Sequence, residues 1–530
     1  MTQNTSTLDM GLPGIAAPAS ANMRIWIAVA ASMLGAYMAI LDIQITSASL
    51  KEILGSLSAT QEEGSWISTA YLATEVVVIP LTVLFSRAFG ERTYLLASTL
   101  LFMLSSVLCA NAWSLSSMIA FRMLQGFTGG AFIPMCMTLI LTKLPPKQRP
   151  IGLALFALST NLAPTTGPTA GGYLTEWYGW PAIFNINWIP GILLLAGIAY
   201  GLDREPKKID VLRNADWLGI GCMALWLGAM TVFLEEGNTR DWFESTLIVS
   251  CAALTVIGFF GWVAASVLRK NSFVNLGLYG QRNFLIATLI SMVVGMALYG
   301  SAFILPLFLA QIPGYNPIQI GKTIMWMGLP QLLVMPIAAI LSAKVDNRII
   351  CSIGLALFGA SCLMNVFIDS STGYDQLFWS QIVRALGQPF IMVTVLNFAT
   401  NGIAPQDLPS ASGLVNMTRN LGASVGIALL ATTLTNREKF HSLHIGQAVS
   451  SYSAQTQERL EQLTQSFISS GASLASATDQ AVKVLDNIVR RESYVMAYSD
   501  CFWFIGATLL ICIPFVWLSD RVVSNHGGEK

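Results

Sequence analysis

Long apolar runs joined by short polar connections dominate the chain. A run of about 20 apolar residues is long enough to cross the hydrocarbon core of a bilayer as a helix. The sequence therefore predicts an all-α integral membrane protein. The predicted spans are the fourteen runs 24–49, 65–85, 94–110, 115–141, 151–174, 182–202, 217–234, 246–268, 284–309, 320–341, 349–368, 377–402, 409–435 and 495–518.

Two polar segments stand out from this pattern. Residues 1–23 are rich in Ser, Thr, Ala and Gly, and we predict a disordered cytoplasmic tail. Residues 436–494 form the longest polar interruption, with apolar residues at helical spacing in 453–468 and 475–489. This segment is either a solvated insert or an amphipathic extension that binds a partner.

Composition excludes several classes of protein. Charged residues make up 11% of the chain and hydrophobic residues 54%, whereas a soluble domain carries about 25% charged residues. The net charge of +0 argues against a nucleic-acid partner. The eight cysteines form no CxxC pair. His441 and His444 lack further ligands, so we expect solvated loop residues and no metal site.

The distribution of Lys and Arg predicts the orientation. With the N-terminus in the cytoplasm, the short outer connections and their span edges receive only Lys51, Arg240 and Lys322. Positive residues concentrate on the cytoplasmic side of membrane proteins. Both termini are therefore predicted to be cytoplasmic, with the 436–494 segment outside. Glu235 and Glu236 fall in a short outer connection on this prediction.

An internal duplication divides the chain. Arg122-Met-Leu-Gln-Gly in one span resembles Arg384-Ala-Leu-Gly-Gln in another, and a Gly-rich span follows each. We predict two six-helix halves, 24–202 and 283–520, separated by two additional spans within 203–282 and followed by a cytoplasmic tail at 521–530. Duplicated halves around a central site are a transporter architecture.

Several motifs carry a family resemblance. They are the acidic first-span motif at 41–50, Arg122 to Gly130, the Gly-Pro motif at 167–172, and the segment 412–426. The chain resembles the fourteen-span drug:proton antiporters of the major facilitator superfamily, in the EmrB/QacA group. It departs from the family pattern at the following residues: Ser47, Leu50, Thr82, Ser86 and Glu91. The last three put the family's usual inner-gate charge pairing in question.

The resemblance implies a function. We expect export of small amphipathic compounds driven by the proton gradient, without a cofactor, from an inner membrane. It also implies a periplasmic membrane-fusion adaptor and an outer-membrane channel as partners. The residues of the gating motif that the resemblance assigns are Pro164, Gly167, Pro168, Gly171 and Gly172.

Charged side chains within the predicted spans are the first candidates for a site, because a charge at the bilayer centre costs about 2.5–3.5 kcal/mol on insertion scales. Asp42, Glu75 and Arg122 are predicted to couple proton movement to transport. The alternative is a permanent ion pair between Glu75 and Arg122. Arg384 and Arg419 are the charges of the second half. Candidate cavity-lining residues are Tyr37, Gln44, Asn161, Gln331 and Asn397.

Other functions remain open at this point. An uptake permease on the same scaffold, or an exporter of a specific metabolite such as a siderophore or a fatty acid, would use the same architecture. A receptor would not need buried acids. A membrane enzyme would need a catalytic cluster, and none of the three histidines lies in a predicted span. No Walker-type phosphate loop is present, so ATP hydrolysis is not the expected driver.

Overall fold

The computed structural model describes residues 22–145, 148–213, 215–268, 276–404, 407–449 and 452–521. Within these ranges every regular element is a helix and there is no β-strand. The predicted tails at 1–23 and 521–530 lie almost entirely outside the described residues.

The first part of the chain contains twelve α-helices. They are α1 (Met23–Ala48), α2 (Leu50–Leu57), α3 (Gln61–Phe89), α4 (Glu91–Ala110), α5 (Leu115–Gly129), α6 (Phe132–Lys143), α7 (Arg149–Tyr178), α8 (Ala182–Asn185), α9 (Trp188–Gly201), α10 (Asp210–Arg213), α11 (Trp217–Gly237) and α12 (Thr246–Leu268).

The second part contains eight more. They are α13 (Arg282–Gln311), α14 (Pro317–Gly328), α15 (Gln331–Lys344), α16 (Asn347–Met364), α17 (Tyr374–Thr400), α18 (Leu408–Ala448), α19 (Ala454–Ser469) and α20 (Leu474–Val516). Short 3-10 turns lie at Trp242–Glu244, Leu276–Gly280 and Asn365–Phe367.

The helices coincide with the predicted spans. Thirteen helices or consecutive helix pairs of the described residues are long and apolar enough to cross a membrane. The remaining predicted span, 151–174, lies on α7, which is 30 residues long. The predicted class of multi-pass all-α membrane protein is confirmed. Below, the end of the bundle at which α1 begins is called the near end, and the opposite end the far end.

Glycines allow one helix pair in each half to pack closely. On α7, a Cβ added at Gly167 would lie 2.4 Å from the Cβ of Gln44 on α1. On α18, a Cβ at Gly422 would lie 2.0 Å from the carbonyl oxygen of Met292 on α13. Only glycine permits these approaches, because any other residue would bring its side chain into the neighbouring helix. Pairs α1/α7 and α13/α18 thus pack alike, as a duplication would produce.

The additional helices α11 and α12 pack mainly against each other, and α11 lies at the seam between the two halves. Trp226 of α11 stacks on Trp262 of α12 with ring centroids 5.2 Å apart. α11 also contacts α3 of the first half and α18 of the second. This position gives α11 access to the space between the halves.

The segment predicted as a polar outer loop is largely helical. α18 has 41 residues and α20 has 43, so each is about 60 Å long at 1.5 Å per residue. A hydrocarbon core of about 30 Å accounts for half of that length. The two helices therefore continue beyond the far end as the arms of a hairpin, residues 436–494, which α19 completes. We call it the far-end hairpin.

The base of the far-end hairpin corrects the prediction for His441. His441 is only 7% exposed, and its Nε2 lies 2.7 Å from Oδ2 of Asp500. Arg437 donates from Nε to the same oxygen at 2.6 Å. Since the expected loop is a pair of packed helices, His441 faces α20 and not solvent. His444, by contrast, is exposed.

At the near end, Glu91 forms a salt bridge with Lys143. Glu91, which replaces a basic residue of the family pattern, lies 2.8 Å from Nζ of Lys143 at the end of α6. Glu205 lies 3.3 Å from the same Nζ. The near-end charge pairing is thus made by a lysine with two carboxylates, in place of the pattern that the family resemblance implies.

Candidate transport site

A cluster of polar side chains is buried inside the first half. Asp42 of α1 is 2% exposed and accepts a charge-assisted hydrogen bond on Oδ2 from Nη1 of Arg122 on α5. Its Oδ1 accepts from Nε2 of Gln125 at 2.9 Å and from Nδ2 of Asn187 at 2.8 Å. Both amides also donate to Oγ of Ser106, at 2.9 and 3.1 Å. We call these five residues the buried polar cluster.

Helix geometry explains why these residues meet. Arg122 and Gln125 are three apart on α5, so they share one face, and Oε1 of Gln125 accepts from Arg122 at 2.7 Å. Asn187 lies at the junction of α8 and α9, where the predicted sixth span is broken. Ser106 comes from α4. Four segments of the first half thus meet in the buried polar cluster.

The guanidinium of Arg122 is fully buried but not fully bonded. Nε donates to the carbonyl oxygen of Ile67 on α3 at 3.2 Å, and the guanidinium carbon lies 4.4 Å from the centroid of the Tyr71 ring. Nη2 has no hydrogen-bond partner among the described residues. A buried donor without a partner is costly, so this nitrogen is available for a group that changes position or charge.

The ion pair considered from the sequence, between Glu75 and Arg122, is not the one formed. Arg122 pairs with Asp42. Glu75 of α3 is 6% exposed and makes no hydrogen bond or ion pair within the described part of the chain. Its Cγ lies 3.2 Å from where a Cβ on Gly130 would be. Tyr71, one turn earlier on α3, lies against the guanidinium of Arg122, which places Glu75 close to the buried polar cluster.

A cavity of about 660 Å³ lies between the two halves, within the size range of pockets for drug-sized ligands. Its wall is mostly apolar and draws on helices of both halves and on α11. We call it the central cavity. Its polar and charged lining residues are Gln44, Ser47, Ser68, Thr160, Glu235, Ser291, Tyr299, Ser301, Arg384, Gln388, Asn416 and Arg419.

The structure places the five predicted cavity residues differently from one another. Gln44 lies on the wall of the central cavity. The hydroxyl of Tyr37 is 2.7 Å from Oγ1 of Thr166, between α1 and α7. Gln331 donates to Gln388 of the wall at 3.0 Å and so lies behind it.

The other predicted residues are not among the described lining residues, although their helices α7 and α17 contribute to the wall. Asn397 is on α17 and is not a lining residue. Asn161, Pro164 and Pro168 are on α7, but their side chains lie outside the described part of the structure. Gly171 faces α1, where an added Cβ would lie 3.1 Å from the carbonyl oxygen of Ile45. Gly172, the next residue on α7, is half-buried.

The second half contributes two arginines to the central cavity. Arg384 of α17 is 3% exposed, and its Nη2 donates to the carbonyl oxygen of Leu298 at 3.2 Å. Arg419 of α18 donates to Oδ1 of Asn416 at 2.6 Å. Neither is paired with a carboxylate in the described residues, and the Nε atom of each lacks a partner there. The predicted duplication relates Arg384 of α17 to Arg122 of α5, and of these two only Arg122 has an acidic partner among the described residues.

Several residues of the site were not identified from the sequence. Gln125 belongs to the Arg122-Met-Leu-Gln-Gly motif, but the motif alone does not indicate that its side chain binds Asp42. Asn187 and Ser106 are polar residues within predicted spans, and their convergence depends on which helix faces meet. Glu235 was placed in an outer connection because the apolar run ends at Leu234. In the structure it belongs to the last turn of α11 and lines the central cavity.

Comparison with known proteins shows the family and several similar proteins. The family model of the Major Facilitator Superfamily matches residues 25–427. "Colistin resistance protein EmrB" of Acinetobacter baumannii is 31% identical over 496 residues, covering 94% of this chain and 96% of the relative. "Multidrug export protein EmrB" of Escherichia coli K12 is 25% identical, covering 93% and 95%.

Two further similarities are to a curated relative and to a solved structure. "Fatty acid resistance protein FarB" of Neisseria gonorrhoeae is 26% identical, covering 93% of this chain and 96% of the relative. Among solved structures, the human organic anion transporter MFSD10 aligns with a TM-score of 0.59, covering 93% of this chain and 99% of that one. At 12% identity this structural likeness concerns the fold alone.

Proposed function

The chain belongs to the major facilitator superfamily, and from this premise we propose that it is a proton-coupled exporter of small amphipathic compounds. We propose further that it acts in the inner membrane as the permease of a tripartite efflux system. The proton gradient would be its energy source, without a cofactor. The similarity to multidrug export proteins over more than nine-tenths of the chain supports export over uptake.

One observation carries the proton-coupling part of this proposal. Two carboxyl groups, Asp42 and Glu75, share the surroundings of a single buried arginine, and only Asp42 is bonded to it. Burial favours the neutral form of a carboxyl group, while a nearby cation favours the charged form. A movement of the arginine away from one acid and toward the other therefore favours protonation of the acid that it leaves.

The geometry suggests how a proton could be coupled to a change of conformation. Nη2 of Arg122 is unbonded among the described residues, and Glu75 is on α3, which contacts α18 of the second half. When Glu75 loses its proton, its charge competes with Asp42 for Arg122. A shift of the guanidinium toward α3 would loosen the four-segment cluster and change the contact between the halves.

The test is substrate-induced proton release. Purified protein in weakly buffered detergent solution is mixed with an exported compound, and the pH change is followed with a dye. We expect Glu75→Gln to reduce the released protons by about tenfold or more, because glutamine keeps the shape and hydrogen-bonding capacity but has no titratable proton. Substrate binding itself should persist.

Glu176→Gln is the matched control. Glu176 is an exposed residue near the far end of α7, so its replacement should leave proton release unchanged. Release that is equal in wild type and Glu75→Gln would assign the coupling proton to another group. An absence of release in the wild type, with binding intact, would contradict proton coupling altogether.

A separate experiment tests the proposed orientation. Reporter fusions after Glu205, in the connection at the near end, and after Gln455, in the far-end hairpin, should report opposite compartments. We expect the first to be active as a cytoplasmic reporter and the second as an extracytoplasmic one, because the near-end connections carry most of the Lys and Arg. The same compartment for both fusions would contradict an even number of crossings with both termini inside.

The chemistry of the cavity keeps one specific alternative in view, the export of a fatty acid or a comparable amphipathic anion. Arg384 and Arg419 line the cavity without carboxylate partners among the described residues. A substrate carboxylate would satisfy their unbonded Nε atoms with a charge-assisted hydrogen bond. The relative named for fatty acid resistance is consistent with this substrate class.

A further inference from the structure

The last turn of α11 carries two adjacent glutamates with different surroundings. Successive residues of an α-helix point about 100° apart, so Glu235 and Glu236 face different neighbours. Glu236 is fully buried and accepts hydrogen bonds from Ser65 at 2.9 Å and from Thr69 at 2.7 Å, both on α3. Arg240 lies 3.6 Å from the same carboxylate.

Glu236 therefore fixes the far end of α11 to α3, and this sets the direction of its neighbour. Glu235 lines the central cavity, as do Ser68 and Leu72, which flank Thr69 on the same helix. Within the described residues Glu235 makes no hydrogen bond or ion pair. A carboxylate that no structural contact requires, on the wall of a cavity of drug size, is a candidate for ligand binding.

Among the described residues that line the central cavity, Glu235 is the one with a carboxylate side chain. The other charged lining residues are Arg384 and Arg419. Neither arginine forms an ion pair with Glu235 in the described structure, and both belong to helices of the second half, α17 and α18. The central cavity thus has a basic region in the second half and an acidic region where α11 meets α3.

The elements packed against α11 confirm that Glu235 faces few cations. The charged residues of α3 whose side chains are described are Glu63, Glu75 and Arg87. Those of α18 are Arg419, Arg437, Glu438 and Lys439, together with the titratable His441 and His444. Those after α11 are Arg240, Asp241 and Glu244, while α12 has none in its described helix. Arg240 is occupied by Glu236. Arg437 is occupied by Asp500 at the base of the far-end hairpin.

We propose that Glu235 is the group of the central cavity at which a proton and the cationic centre of a substrate compete. The additional helix pair would then supply a specificity-determining residue, and not only separate the two halves. This inference rests on the proposed export function and assigns it a substrate class, amphipathic cations, beside the anions that the arginines can bind.

The buried acids of the first half are poorly placed for that competition. Both oxygens of Asp42 are occupied within the buried polar cluster, and neither Asp42 nor Glu75 is a lining residue of the cavity. A cation in the cavity therefore meets Glu235 first. When Glu235 is charged it attracts the cation, and when a proton neutralises it this attraction is lost. The competition needs no covalent step.

A pair of probes with the same shape and opposite charge tests the proposal. Tetraphenylphosphonium is a cation and tetraphenylborate an anion of nearly equal size. Binding of each to the purified full-length protein is measured in detergent at several pH values. For wild type we expect the affinity for tetraphenylphosphonium to fall as the pH is lowered. In Glu235→Gln this affinity should be about tenfold weaker at neutral pH and should no longer depend on pH.

Tetraphenylborate binding provides the internal control for folding. It should be retained or strengthened in Glu235→Gln, because loss of a negative charge does not weaken the attraction of an anion. Glu235→Asp should restore part of the pH dependence, since it restores the titratable group. The matched control Glu244→Gln, an exposed acid on the 3-10 turn after α11, should behave as wild type with both probes.

The outcomes separate this inference from the export function on which it rests. Wild-type affinity and pH dependence for tetraphenylphosphonium in Glu235→Gln would overturn the role of Glu235, even if proton-driven export is intact. Equal losses of both probes would also overturn it, since that result indicates a structural role. Failure of the export function itself would appear instead as missing proton release in the wild type.

Discussion

Replacing Asp42 with asparagine is expected to abolish proton-driven export and to lower the free energy of unfolding by about 3–5 kcal/mol. The cause is the position of this carboxylate, which accepts from three donors on Arg122, Gln125 and Asn187. An asparagine amide would place its own NH2 group opposite one of these donors. It would also leave the fully buried guanidinium without a counter-charge.

A double-mutant cycle separates the charge effect from the loss of shape. Arg122→Met alone leaves Asp42 as an unpaired buried charge and should also destabilise strongly. The double variant Asp42→Asn with Arg122→Met removes both charges. We expect it to recover much of the stability lost in Asp42→Asn, because two buried neutral side chains cost less free energy than one buried charge without its partner. Transport should not recover, since the titratable group remains absent.

Arg384 offers a matched control for this cycle. It is the arginine that the duplication places on α17, and it has no carboxylate partner among the described residues. Combining Asp42→Asn with Arg384→Met should give additive losses, within about 0.5 kcal/mol. Unfolding would be followed by titrating purified protein from mild detergent into a denaturing one. Additive losses for Asp42 with Arg122 would contradict a coupled pair.

The sequence predicted the fold well because hydropathy reports a requirement that acts on each span separately. Every span must bury about 20 residues in hydrocarbon whatever its neighbours are, so the runs were visible one by one. The helix pairs α5 and α6, and α8 and α9, show a feature that hydropathy does not predict, the division of one span into two helices. Each pair fills one predicted span. The break at Asn187, which supplies a donor to Asp42, does not shorten the apolar run, so the span is predicted as one helix.

The site was less predictable because it depends on contacts between helices. Asp42 and Arg122 were recognisable as charges in spans, but the choice of partner was not. The sequence offers two acids as partners for one arginine. The packing of α1 within the first half brings Asp42, and not Glu75, into contact with Arg122. Glu235 shows the complementary difficulty. Hydropathy ends the span at Leu234, whereas helix α11 continues to Gly237, so a cavity residue resembled a loop residue.

The far-end hairpin changes the physical basis for expecting a partner protein. From the sequence, an apolar helix face standing clear of the bilayer had to be buried against something. In the structure α19 and α20 pack against each other, and Leu460, Leu463 and Phe467 of α19 are half-buried. The hairpin therefore covers part of its own apolar surface, and no partner is needed to shield these three side chains.

The rigid attachment of this hairpin still supports a docking role. Its arms continue the membrane helices α18 and α20 without a break, and its base is closed by the bonds of Asp500 to Arg437 and His441. Near its tip Leu474 and Val482 are exposed. A projection of about 30 Å held in one direction is suited to a fixed partner more than to closing a gate, which would require a hinge.

Trimming residues 452–484 and joining the arms with a short Gly/Ser linker is therefore expected to separate two activities. Proton-driven transport in reconstituted vesicles should remain close to wild type, because the deletion spares the central cavity, the buried polar cluster and the base of the hairpin at Asp500. Resistance in cells and co-purification with a periplasmic adaptor should be lost, because the tip that would bind the adaptor is gone.

Two further measurements decide between docking and gating. Lys483→Ala removes one exposed end of the Asp479–Lys483 pair within the trimmed region and should leave resistance unchanged, since an exposed pair of this kind contributes little. Asp500→Asn keeps the whole tip but weakens the base of the hairpin. The loss of resistance should then be partial, in proportion to how far the hairpin loses its fixed direction. A trimmed protein that no longer transports in vesicles but still retains the adaptor would contradict docking. In that case the far-end hairpin would belong to the gate, and the continuity of α18 and α20 would transmit its movement into the bundle.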